Sequence, residues 1–158
     1  MQLSWLDAPD ATTPATLQDL AAVGVTYRHL STSPAVYEPA LKQLCIDNSY
    51  VTRDEVALSP SMPNLQVLLD KFKGEHLHTE DEVRFVLEGA GVFDIRSAAD
   101  RWIRIQVDPG DLIVVPARLY HRFFLTEASQ IRCVRLFKDS AGWVPHYRNS
   151  PNPASAAS

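Results

Sequence analysis

The chain has 158 residues, of which 46% are hydrophobic and 22% charged, with a net charge of −4. This is the make-up of one globular domain with its own core, not of a low-complexity chain, and the acidic balance argues against nucleic acid, whose phosphates favour a basic face. No apolar run approaches the ~20 residues of a membrane helix, and MQLSWLDAPD lacks a basic stretch leading into an apolar one, so no membrane partner or signal peptide is expected and the expected location is cytoplasmic.

The first part of the chain reads as helical. Thr13-Pro14 has the form of an N-cap followed by proline at the first helical position, Leu17, Leu20 and Ala21 repeat at helical spacing, and Gly24 can close the helix. VTYRHL (25–30) reads as a short strand. Ser33-Pro34 opens a second helix, with Leu41, Leu44 and Cys45 on one face and Pro39 blurring its start. A third helix runs from about Pro63 to Lys73, where Leu65, Leu68, Leu69 and Phe72 form an apolar stripe.

After Lys73 the period changes to two. EVRFVLE (82–88) places Val83, Phe85 and Leu87 on one side; GVFDIR (91–96), WIRIQV (102–107), DLIVVP (111–116), HRFFLT (121–126) and IRCVRLF (131–137) follow. Polar or glycine-containing turns separate most of them. The fold class is therefore mainly β with N-terminal helices, and the run of short strands predicts a sandwich or small barrel. A single domain over 1–149 is expected, with the tail SPNPASAAS (150–158) disordered. Cys45 and Cys133 are far apart and form no CxxC pair, so both read as reduced thiols.

One stretch stands apart. HLHTEDE (76–82) holds two histidines and three acidic residues in seven positions. It is either a solvated acidic turn or half of a metal site. If the segment is extended, His76 and His78 leave the same face, and Glu82 and Arg84 share that parity. Two imidazoles and a carboxylate converging on one side make a donor set suited to iron(II) and similar ions. Glu75, Glu80 and Asp81 read as solvated charge around the ligands, with room for one of them to orient a histidine or accept a proton. His29 and His146 have no second donor at metal spacing and read as non-ligands.

The spacing His76-x-His78-x3-Glu82-x6-Gly89, followed by Gly110-x5-Pro116-x4-His121, resembles the two signature motifs of the cupin superfamily. The resemblance implies a double-stranded β-helix, a small barrel, with His76, His78, Glu82 and His121 as metal ligands. Asp70 and Arg118 stand where the family carries turn glycines. FKGEHLHTEDEVRFVLEGAGVFDIR, WIRIQVDPGDLIVVPARLYHRFFLTE and GWVPHY together resemble the acireductone dioxygenases, most densely from Asn64 to Tyr147. That resemblance implies a metal-dependent enzyme with one Fe(II) or Ni(II) per chain, cleaving a small acireductone with O2 in methionine salvage, as a monomer or small homo-oligomer. An ion held by three imidazoles and one carboxylate keeps two positions open, which a substrate with two neighbouring oxygens can chelate. Arg84 matches the family's arginine beside the glutamate and is expected to contact the substrate anion. Phe72, Phe123 and Trp143 match its pocket positions, although Phe72 also completes a helical core stripe. The rival readings are another metal cupin, such as a different oxygenase or a sugar isomerase, and a non-catalytic metal-binding module.

Overall fold

The computed structural model describes residues 1–7, 14–138 and 144–148. Strands and helices alternate first: β1 (Gln2–Trp5), α1 (Leu17–Ala21), β2 (Thr26–His29), α2 (Pro34–Asn48), β3 (Thr52–Leu58) and α3 (Leu65–Lys73). Strands follow: β4 (His76–Leu77), β5 (Glu82–Gly89), β6 (Gly91–Arg96), β7 (Trp102–Val107), β8 (Asp111–Val115), β9 (His121–Leu125), β10 (Ile131–Phe137) and β11 (His146–Tyr147). No helix among the described residues is long and apolar enough to cross a membrane.

The first helix starts later than its proline suggests. Thr13 lies outside the described residues, and Pro14 precedes α1 without opening it. Thr16 is the cap: its hydroxyl accepts from Asp19 N while the Asp19 carboxylate accepts from Thr16 N at 2.8 Å, a reciprocal box that satisfies two otherwise orphaned donors. Gly24 has φ +84°, the left-handed conformation that ends the helix as expected. Pro39 does not disturb the start of α2, which begins at Pro34 and runs through Pro39 to a left-handed Ser49 cap.

The strands form two antiparallel sheets, ordered β1-β7-β6-β9-β4-β11 and β2-β8-β5-β10-β3. They close on one apolar interior as the expected double-stranded barrel. Phe93, Ile95, Ile103, Ile105, Val107 and Phe123 come from the first sheet and meet Val86, Ile113, Val115 and Ile131 from the second. The alternation in β5 puts its larger apolar side on the outside of the barrel. Val83, Phe85 and Leu87 point away from the barrel and pack against Tyr37 and Leu41 of α2. The other parity, carrying Glu82, Arg84 and Val86, therefore faces the interior. Covering the outside of β5 with a helix lets a strand buried on both sides turn its charged residues inward.

Three strands were not foreseen: β1, β3 and β11. β1 is held by β7 over Gln2–Trp5, and β3 by β10 over its full length. Asp70 is not at a turn either; it lies within α3 and accepts from Gln66 Nε2 at 2.7 Å. Arg118 does occupy a turn, and it adopts the φ of +67° that glycine would take there. Cys133 is buried and Cys45 half-buried, both as free thiols. The 150–158 tail lies outside the described residues.

Candidate metal centre

Strand pairing brings distant histidines together. β4 is only two residues long, yet it pairs β9 at His76↔His121 and β11 through Leu77↔His146. The His76 and His121 rings lie 4.5 Å apart between centroids, and His78 stands 5.1 Å from His76 and 5.4 Å from His121. The chain then turns at 79–81, and β5 opens on Glu82, which pairs Val115 of β8. One ligand atom from each of His76, His78, Glu82 and His121 falls within 4.8 Å of all the others. The turn does not spoil the expected convergence. His29 sits elsewhere, 3.3 Å from Asp111, and His146 lies on β11.

The donor chemistry fits an ion. His76 Nδ1 donates to Gly74 O at 2.6 Å, His121 Nδ1 to Leu119 O at 2.8 Å, and His78 Nδ1 to Val144 O at 3.2 Å. A carbonyl can only accept, so each Nδ1 carries a proton, which leaves Nε2 as the nitrogen that turns to the centre and can offer a metal its lone pair. Burial first, and His121 next, push His76 down to about 4, so it is neutral near pH 7. Glu82 Oε2 lies 2.6 Å from His121 Nε2 and 3.4 Å from His78 Nε2. Contacts this short need a shared cation, either a proton or a metal ion.

Arg84 fixes the carboxylate from the other side. Its Nε donates to Glu82 Oε1 at 2.7 Å, and its Nη1 lies 3.8 Å from the Cys133 sulfur. Burial would raise the Glu82 carboxyl, but the Arg84 charge, followed by His121, outweighs it and holds the group well below the usual carboxylate range. The guanidinium also stacks 5.0 Å from the Phe123 centroid and 5.7 Å from that of Phe72.

A cavity opens beside the ligands. Phe72, His78, Glu82 and Arg84 line it together with Asp81, Arg135 and Phe137. Phe123 is 1% exposed and stands behind this wall, edge-on to Phe72 with 6.0 Å between centroids. Trp143 lies outside the described residues. Arg135 and Phe137 were missed in the sequence, although their parity with Ile131 and Cys133 on IRCVRLF was a usable signal for the interior face. Glu75 is an ion-pair partner of Arg96 and Arg148, at 2.7 and 2.9 Å.

Comparison with known proteins shows the family. The family model described as the ARD/ARD' family matches residues 6–145. An acireductone dioxygenase of Heterostelium pallidum is 47% identical over 136 residues, covering 86% of this chain and 92% of that protein. The Xenopus tropicalis acireductone dioxygenase is 39% identical over 140 residues, covering 88% and 78%. Among solved structures, an acireductone dioxygenase from Bacillus anthracis with a cadmium ion in its active centre superposes with a TM-score of 0.84 at 29% identity, over 92% of this chain and 96% of the other. The chain belongs to the ARD/ARD' family, that of the acireductone dioxygenases.

Proposed function

We propose that the protein is an acireductone dioxygenase of methionine salvage, acting on 1,2-dihydroxy-3-keto-5-methylthiopentene with O2 and using one Fe(II) or Ni(II) per chain. The observation that carries this reading is the convergence of three imidazoles and the Glu82 carboxylate beside a cavity that Arg84 lines. When bound, the ion supplies a chelating Lewis-acid centre for two neighbouring substrate oxygens.

The remaining work falls to the chain's own side chains. His76, His78, His121 and Glu82 are the ligands, with each imidazole held in one tautomer by a backbone carbonyl. Arg84 keeps a permanent positive charge at the cavity wall, where it offsets the negative charge of an ionised enediol. It is anchored by Glu82, so little ordering is required when the anion arrives. Phe72, backed by Phe123, gives the methylthio end an apolar wall and excludes water.

Product choice follows the ion in this reading. The iron form yields formate and 4-methylthio-2-oxobutanoate; the nickel form yields formate, carbon monoxide and 3-methylthiopropanoate. Metal-stripped protein reloaded with one ion at a time tests this by product analysis. Two distinct product sets are expected. The same products from both ions would refute control of the outcome by the metal.

A further inference from the structure

The two ligand-bearing segments are poorly tied together by sheet pairing. β4 meets β9 at a single residue pair, His76↔His121, and β5 pairs β8 only as far as Glu82↔Val115. Between those points, residues 78–81 and the 116–120 loop must be held by other bonds. One is backbone: Arg118 N donates to His78 O at 2.8 Å. Another runs through a side chain: Ala117 N donates to Asp81 Oδ1 at 3.0 Å.

The second oxygen of Asp81 is also committed. Tyr50 donates its hydroxyl to Asp81 Oδ2 at 2.8 Å. Tyr50 is placed there by the end of α2, where Ser49 takes the left-handed cap at φ +61° and Tyr50 N donates back to Cys45 O at 3.1 Å. Its ring is buried, at 5% exposure, among the residues that pack α2 onto the barrel. The end of α2 thus reaches the metal turn through a buried phenol. Beyond Ala117, the same loop supplies the Leu119 carbonyl that accepts from His121 Nδ1.

We propose that Asp81 is a positioning residue which, braced by Tyr50, locks the 116–120 loop onto the 78–81 turn and so sets His121 against His78 and Glu82. This rests on the metal reading above. Asp81 acts by accepting two hydrogen bonds, so a neutral side chain of the same shape suffices: asparagine keeps an oxygen for Ala117 N, and its amide can donate to the tyrosine oxygen. Alanine keeps neither bond.

Cobalt(II) is a suitable probe, because its visible absorption reports ligand geometry and a chelator reads its release rate. Asp81→Ala is expected to release cobalt roughly 10-fold faster or more, with an altered spectrum. Asp81→Asn is expected to retain the wild-type spectrum and rate. Tyr50→Phe, which removes one bond and keeps the carboxylate, is expected to speed release roughly 3-fold. This variant keeps the idea testable should Asp81→Ala not fold. Wild-type release and spectrum in Asp81→Ala, or in Tyr50→Phe, would overturn the proposal. So would an Asp81→Asn as impaired as Asp81→Ala, since the charge would then matter and not the bonds. A wild-type protein that takes up no cobalt would remove the metal reading itself, and this proposal with it.

Discussion

Arg84 and Glu82 form a charge pair on the inner face of β5, Nε to Oε1 at 2.7 Å, with Arg84 only 3% exposed. A buried pair is costly to break, because the surviving charge has neither partner nor water. Arg84→Met is expected to destabilise the metal-free protein by about 3 kcal/mol. With metal bound the loss should be smaller, since the ion itself neutralises Glu82. Urea unfolding with chelator and with metal measures both. Equal losses in the two conditions would mean that Glu82 does not face the ion.

Metal should act as a folding ligand. At a free concentration about 100 times Kd, linkage adds about 2.7 kcal/mol. In a domain of this size that raises Tm by roughly 5–10 °C. Glu82→Gln removes the only anionic ligand and is expected to abolish most of the shift, whatever its effect on the starting Tm. Thermal melts across a nickel titration provide the check.

The metal-free protein should weaken in mild acid. His76 protonates at about 4 in the folded chain, against about 6.5 unfolded. Between those values the unfolded chain takes up a proton that the folded one refuses, so stability drains away as pH falls through that window. His76 alone contributes a loss of roughly 3 kcal/mol. Glu82 acts in the same direction at lower pH, because its folded carboxyl stays ionised where an unfolded one is protonated. Urea midpoints that stay level from pH 7.5 to 4.5 would contradict this.

Asp94 provides a control away from the site. It lies on the outward parity of β6 yet is fully buried beneath Arg104, at 2.8 and 2.9 Å, and Arg122, at 2.8 Å. Asp94→Ala is expected to cost about 2 kcal/mol, limited because both arginines can regain water. Its cobalt release rate should match wild type. A change in that rate would extend the metal site's support across the sheet.

The centre was legible in the sequence because its information is local. HLHTEDE places three ligands within seven residues, and PARLYH delivers the fourth at a fixed distance from a turn. The later strands were legible for the same reason, since each carries its own alternation and a turn at its end. β3 was hidden because TRDEVAL opens with three consecutive charged residues after its threonine, which break any apolar alternation. Its charges are paired across the fold, Arg53 with Glu38, Asp54 with Arg135 and Glu55 with Arg132, and no periodicity records that. β1 depends on β7, about 100 residues later in the chain, and carries too few residues to show a pattern. That α2 covers the outer face of β5 was concealed for a related reason, since the two elements meet only in three dimensions. Asp81 read as one solvated carboxylate among several because its partners, Tyr50 and Ala117, are 31 and 36 residues away.

The central claim is most directly tested by O2 consumption. Metal-stripped protein, reloaded anaerobically with iron(II) and mixed with freshly made acireductone, should take up O2 rapidly and release one formate per O2. His121→Ala should show neither. No uptake above background from protein verified to hold iron would contradict the account.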